Sequence, residues 1–157
     1  LLLVGNDLFV TMSANQFGSP GTENDGIYKF AGGTPGNLST YGSPDRFADF
    51  GAQSTRAAVP LAFYAHSSGD YLATVDTSTD DILLFDPAAG TLPASASSTF
   101  SDTTNIGDAF GLAFVDINGS EYMLVAGTDA AAASAVHVYG IDGAVLQTAD
   151  VENWDLY

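Results

Sequence analysis

The sequence predicts an all-β fold built from repeated four-stranded antiparallel sheets. Three observations carry this reading: short runs of β-branched and aromatic residues, glycine-rich turns between them, and recurrence of the whole pattern at a nearly constant spacing. Self-similarity is the first thing to establish, because a repeat determines the architecture before any single element is assigned. Helical periodicity is nearly absent. The alanine run from Ala130 to Ala133 has helix propensity but is too short to hold a helix alone, and it reads as loop.

The clearest strands are Gly26-Ile27-Tyr28-Lys29-Phe30, Asp81-Ile82-Leu83-Leu84-Phe85 and Ala135-Val136-His137-Val138-Tyr139, whose Ile27, Ile82 and Val136 fall 55 and 54 residues apart. Their residue types fit a pleated, half-buried surface. Upstream of each lies a strand that opens with an acid: Asp7 to Thr11, Asp70 to Val75 and Glu121 to Val125. Earlier still, Pro60 to Tyr64 and Gly111 to Val115 precede tight turns at Ser67-Ser68-Gly69 and Asn118-Gly119-Ser120, and Leu1 to Val4 holds the same place in the first repeat. Downstream, Gly36-Asn37-Leu38, Gly90-Thr91-Leu92 and Gly143-Ala144-Val145 line up as glycine turns leading to a fourth strand.

Such a four-stranded meander, repeated at this length, is the blade of a β-propeller. The chain divides into a first blade over 1–42, a second with its preceding loop over 43–100, and a third over 101–157 with the start of the next. Propellers close with four to eight blades, so three blades are expected to belong to a longer chain or, second, to a ring completed by several copies. A β-sandwich is the rival architecture. The second repeat, Gly69 to Thr77 followed by Asp81 to Asp86, resembles blades of NHL-type and related six-bladed propellers. The likeness is one of residue types across all three repeats. No Trp-Asp pair closes the third strand as in WD40 blades, since Trp154-Asp155 lies elsewhere, and Gly32-Gly33 stands at the wrong place for a kelch doublet.

Charge narrows the partners. Nineteen acids face three bases, Lys29, Arg46 and Arg56, for a net charge of −16. Only Glu23, Glu121 and Glu152 are Glu, so the acid is mostly Asp, which favours turns and strand ends. Nucleic acid and anionic lipid need basic patches, and neither is an expected partner. No run of about 18 apolar residues is present, so no membrane-spanning helix is expected. The chain has no cysteine and therefore no disulfide framework or thiolate metal site.

The candidate binding residues come from loop lengths. The connections after the second and fourth strands read as long, and long loops commonly carry function. They contain Asp45, Arg46, Phe47, Phe50, Arg56 and Trp154, a mixture of charge and aromatic anchors for a protein or glycan partner. The alternative for the two arginines is local pairing with nearby Asp. Two sequons, Asn37-Leu38-Ser39 and Asn118-Gly119-Ser120, are candidate N-glycosylation sites on the opposite face, although Asn118-Gly119 is equally a good turn dipeptide. Asp76, Asp80 and Asp81 are candidate oxygen ligands for calcium, with turn capping as the plainer role. His66 stands in a turn and His137 in a strand, where packing outweighs catalysis. No G-x-S-x-G elbow or phosphate-binding glycine loop occurs.

The function these features favour is a non-catalytic, secreted or cell-surface module for interaction or structure, whose nearest partner is the rest of the same propeller. A hydrolase, lactonase or lyase with a metal-dependent site shared among further blades is the alternative implied by the resemblance, with no ligand assignable here. A carbohydrate-binding module using Phe47, Phe50 and Trp154 is the third reading.

Overall fold

The computed structural model describes residues 1–12, 26–50, 60–66, 69–76, 79–128, 131, 133–142 and 144–155; for 66, 142 and 144–155 the backbone alone is described. Among the described residues, twelve strands form three four-stranded antiparallel sheets, each a simple meander in chain order. Sheet 1 holds β1 (Leu2–Val4), β2 (Asp7–Met12), β3 (Gly26–Phe30) and β4 (Asp45–Asp49). Sheet 2 holds β5 (Leu61–His66), β6 (Gly69–Asp76), β7 (Asp81–Phe85) and β8 (Ser98–Phe100). Sheet 3 holds β9 (Asp108–Ile117), β10 (Ser120–Thr128), β11 (Ser134–Asp142) and β12 (Ala144–Asp155). Among the described residues, helical backbone is confined to one 3-10 turn, Leu38–Thr40.

The first three strands of each sheet lie where residue type and glycine turns put them. The fourth does not. Asn37 caps the 3-10 turn, its Oδ1 accepting from the Ser39 backbone N–H, so Gly36-Asn37-Leu38 folds back on itself instead of entering a strand. The strand forms later, as β4 beside β3. Sheet 1 therefore runs to Asp49, beyond the boundary at 42, and Asp45, Arg46 and Phe47 are strand residues rather than loop residues. In sheet 2 the strand likewise waits from Leu92 until Ser98. In sheet 3 it starts at Ala144, next to Gly143, and continues through 149–155, which is strand and not loop.

These shifts remove the contrast in loop length. The third-to-fourth connections of sheets 1 and 2 occupy 31–44 and 86–97, as long as the connections at the other end. The second of them is packed: Ala89, Ala94 and Ala96 lie against the core of sheet 1, and the Ala94 N–H donates to the Phe47 carbonyl at 2.6 Å.

Each sheet buries one face against the next, because a sheet with an apolar face must cover it. Between sheets 1 and 2, Phe9, Ile27, Phe47 and Ala48 meet Leu72 and Phe85. Phe47 stands edge-on to Phe9 and Phe85, at ring-centroid distances of 5.1 and 6.0 Å. Between sheets 2 and 3, Val75, Ile82 and Phe100 meet Ala109, Met123, Val125 and Tyr139, closed at the side by Ile106. Leu72 and Val75 belong to different cores because an odd spacing on a strand points side chains to opposite faces. The first strands neighbour one another, β5 lying against both β1 and β9. In sheet 3 the buried alternation is Met123, Val125, Ala135, His137 and Tyr139, leaving Leu124, Val136 and Val138 half-buried on the other face.

Candidate functional site

Among the residues nominated from sequence, Phe47 is fully buried and Phe50 packs edge-on to Phe85 at 6.2 Å, so both serve the core between sheets 1 and 2. Arg46 forms an ion pair with Asp49 along β4, the local pairing held open as its alternative. Asp45 is exposed at the start of that strand. Arg56 and the Trp154 side chain lie outside the described residues. Asn37 and Asn118 are both exposed at turns, Asn118 with a left-handed φ of 56°. Among the described residues, no three acids or histidines gather as metal ligands. Asp80 instead accepts from the Ala109 N–H at 3.4 Å, which places it in a connection between sheets 2 and 3.

The structure draws attention to a different place: an open groove of about 260 Å³ between sheets 2 and 3. Its walls are Phe63, Tyr64 and Ala65 from the end of β5, Phe114, Val115 and Asp116 from β9, and Glu121 from the start of β10. The β9–β10 hairpin builds one side. A two-residue turn, Asn118-Gly119, sets Ile117 opposite Ser120, and the register then places Asp116 directly opposite Glu121. Gly119, at φ 84°, supplies the left-handed backbone of the turn, and its N–H donates to Asp116 Oδ1 at 2.9 Å. The same alternation that buries Met123 and Val125 turns Glu121 toward sheet 2.

Sheet 2 supplies the facing wall. Tyr64 and Phe114 stack across the interface with centroids 4.6 Å apart and planes at 18°, and Tyr71 lies on the other side of Tyr64 at 6.4 Å. The Tyr64 hydroxyl donates to Glu121 Oε2 at 2.5 Å. Burial pushes the Tyr64 hydroxyl well above the ordinary tyrosine range, with the Glu121 hydrogen bond and charge adding to it. The proton therefore stays on Tyr64, which donates it to the Glu121 carboxyl. A second, deeper polar contact joins the same sheets. Asp102 accepts from the Tyr139 hydroxyl at 3.0 Å and from the Asn105 side-chain amide at 2.9 Å. Burial opposes ionisation of Asp102, but hydrogen bonds from Asn105, Tyr139 and the Asn105 and Thr104 backbone outweigh it and lower its pKa.

The groove gathers two carboxylates, Asp116 and Glu121, and a tyrosine hydroxyl that donates to one of them. The groove lies at the end of the sheets bearing the β5–β6 and β9–β10 turns, the face opposite to the one that loop length nominated. Tyr64, Phe114 and Glu121 were missed because they come from two sheets and meet only when the sheets stack. The pairing of Asp116 with Glu121 was readable from the two-residue turn alone. Searches with family models, curated proteins and solved structures returned no match to this chain.

Proposed function

We propose that the chain forms consecutive blades of a β-propeller that serves as a non-catalytic, secreted or cell-surface interaction module within a larger protein or assembly. The observation that carries the reading is the serial stacking of three meanders whose first strands neighbour one another, as inner strands do around a propeller axis. A face-packed sandwich with Greek-key crossings would not keep each sheet in simple chain order. The groove beside Tyr64 and Phe114 is the contact site in this proposal, being concave, aromatic and polar at its rim.

Hydroxyl-radical footprinting of the protein in its native assembly, compared with the isolated chain, tests this directly. Protection of Phe63 and Phe114, which are part-exposed at the groove, is expected in the assembly. Equal reactivity in both, with protection elsewhere, would remove the groove from the proposal. The hydrolase alternative predicts turnover of simple lactones or esters that is abolished by EDTA, and the carbohydrate alternative predicts retention on a glycan array.

A further inference from the structure

We propose that Asn118 is a site of self-catalysed deamidation, converting slowly to aspartate and isoaspartate, and that Asp116 holds the rate down. The inference goes beyond the interaction reading and does not depend on it. Asn118 is the only asparagine of the chain that is followed by glycine. The pair forms the two-residue turn of the β9–β10 hairpin, between Ile117 and Ser120, and both residues are exposed.

The reaction needs only the chain and water. The Gly119 nitrogen attacks Cγ of Asn118 and gives its proton to solvent hydroxide. The bond from Cγ to the side-chain nitrogen breaks, and that nitrogen leaves as ammonia after taking a proton from water. One water then opens the five-membered imide. Opening at Cγ restores the backbone with aspartate in place; opening at the main-chain carbonyl carbon leaves isoaspartate, with the chain running through Cβ and Cγ. Glycine favours the attack because it carries no Cβ beside the nitrogen. Apart from its chain neighbours, nothing lies within 4 Å of the place a Cβ would take at Gly119, so hydroxide has access.

The fold opposes the reaction at one atom. The Gly119 N–H, whose nitrogen is the nucleophile, donates to Asp116 Oδ1 at 2.9 Å. A carboxylate is too weak a base to remove an amide proton. Its charge instead stabilises the N–H and disfavours the amide anion that attacks. The same bond closes the turn, in which φ is 56° at Asn118 and 84° at Gly119. Conversion therefore has to break this bond. Isoaspartate adds one carbon to the backbone of a two-residue turn, which disturbs the register that sets Asp116 opposite Glu121. Either product also lacks the amide that a glycan on this sequon would need, so the two modifications exclude each other.

The test is peptide mapping by mass spectrometry of the 157-residue chain, made without glycosylation and kept warm at mildly alkaline pH over several weeks. Conversion of amide to acid is expected at Asn118, with one heavy oxygen incorporated in oxygen-18 water. Asn37, which is also exposed at a turn but precedes Leu38, should stay intact. Asp116→Ala removes the acceptor and should speed conversion about fivefold, the factor set by one net hydrogen bond. Asp116→Asn keeps an acceptor oxygen without the charge and should fall between. Asp108→Ala, at the far end of the same strand, should leave the rate unchanged, with circular dichroism checking the fold of each variant. In concentrated urea all four proteins should convert at one rate, because the restraint belongs to the folded turn. An intact Asn118 in the folded protein while the urea-unfolded chain converts, or equal conversion at Asn37, would overturn the site. An unchanged rate in Asp116→Ala, an equal rise in Asp108→Ala, or a difference that persists in urea would overturn the restraint by Asp116.

Discussion

The polar residues buried in this chain differ in how well they are satisfied. Tyr139 is fully buried and its hydroxyl is spent on Asp102, a charge-assisted bond. Tyr139→Phe leaves Asp102 with one donor fewer and should cost about 1.5–3 kcal/mol, measured by urea denaturation. His137 is the opposite case. It is fully buried on the same face of β11, and among the described residues neither ring nitrogen has a hydrogen-bond partner. His137→Leu removes two desolvated polar atoms while keeping an apolar side chain, and should raise stability by about 1 kcal/mol in the same assay. A loss of stability instead would mean that the ring is paired. The pH dependence follows from four groups. Asp7, held low first by the Lys29 ammonium, and Asp102 have lowered folded pKa values, so their contributions are present above the unfolded value and fade as pH falls through the folded one. Tyr64 and Tyr139 are raised, chiefly by burial, so their contributions hold below about pH 10 and fade above it. The urea midpoint should therefore be flat near neutrality and fall at both extremes, the alkaline fall shrinking in Tyr139→Phe.

At the scale of the element, β4 and the register shift between β9 and β10 decide most. Phe47 touches rings from both sheet 1 and sheet 2. Its replacement by alanine should cost about 3–5 kcal/mol, far more than Val138→Ala on the half-buried face of sheet 3. Gly127 sits at the register shift of β9 and β10, where an added Cβ would collide with the Asp108 carbonyl. Gly127→Ala should broaden or lose the unfolding transition. The strands themselves were unequally legible. β2, β3, β6, β7, β10 and β11 advertise themselves through several apolar or aromatic residues between glycine turns. β4 and β8 bury few residues, Phe47 and Ala48 in one and Phe100 in the other, and β4 carries charge at both ends. With so little apolar signal, a glycine-based alignment placed the fourth strand too early. The groove was half legible: one wall is a local hairpin whose register follows from its turn, while the other depends on which face of sheet 2 meets sheet 3.

For the molecule as a whole, sheet 2 is covered on both faces and sheets 1 and 3 on one each within the described residues. Protection should follow that order, so amide exchange monitored by mass spectrometry is expected to be slowest in β6 and β7. Faster exchange there than in β2 and β3 would contradict the stacking. The net charge of −16 adds self-repulsion that is screened by salt. Raising ionic strength should increase the thermal midpoint.

The sharing of each core between neighbours has a hereditary side. A segment containing sheet 2 carries half of two different cores. A larger ring at Phe47 is accommodated only with smaller neighbours at Phe9, in the same sheet, or at Phe85, in the next. Change on either side of the seam between sheets 1 and 2 is then bounded by the residues that face it across the seam.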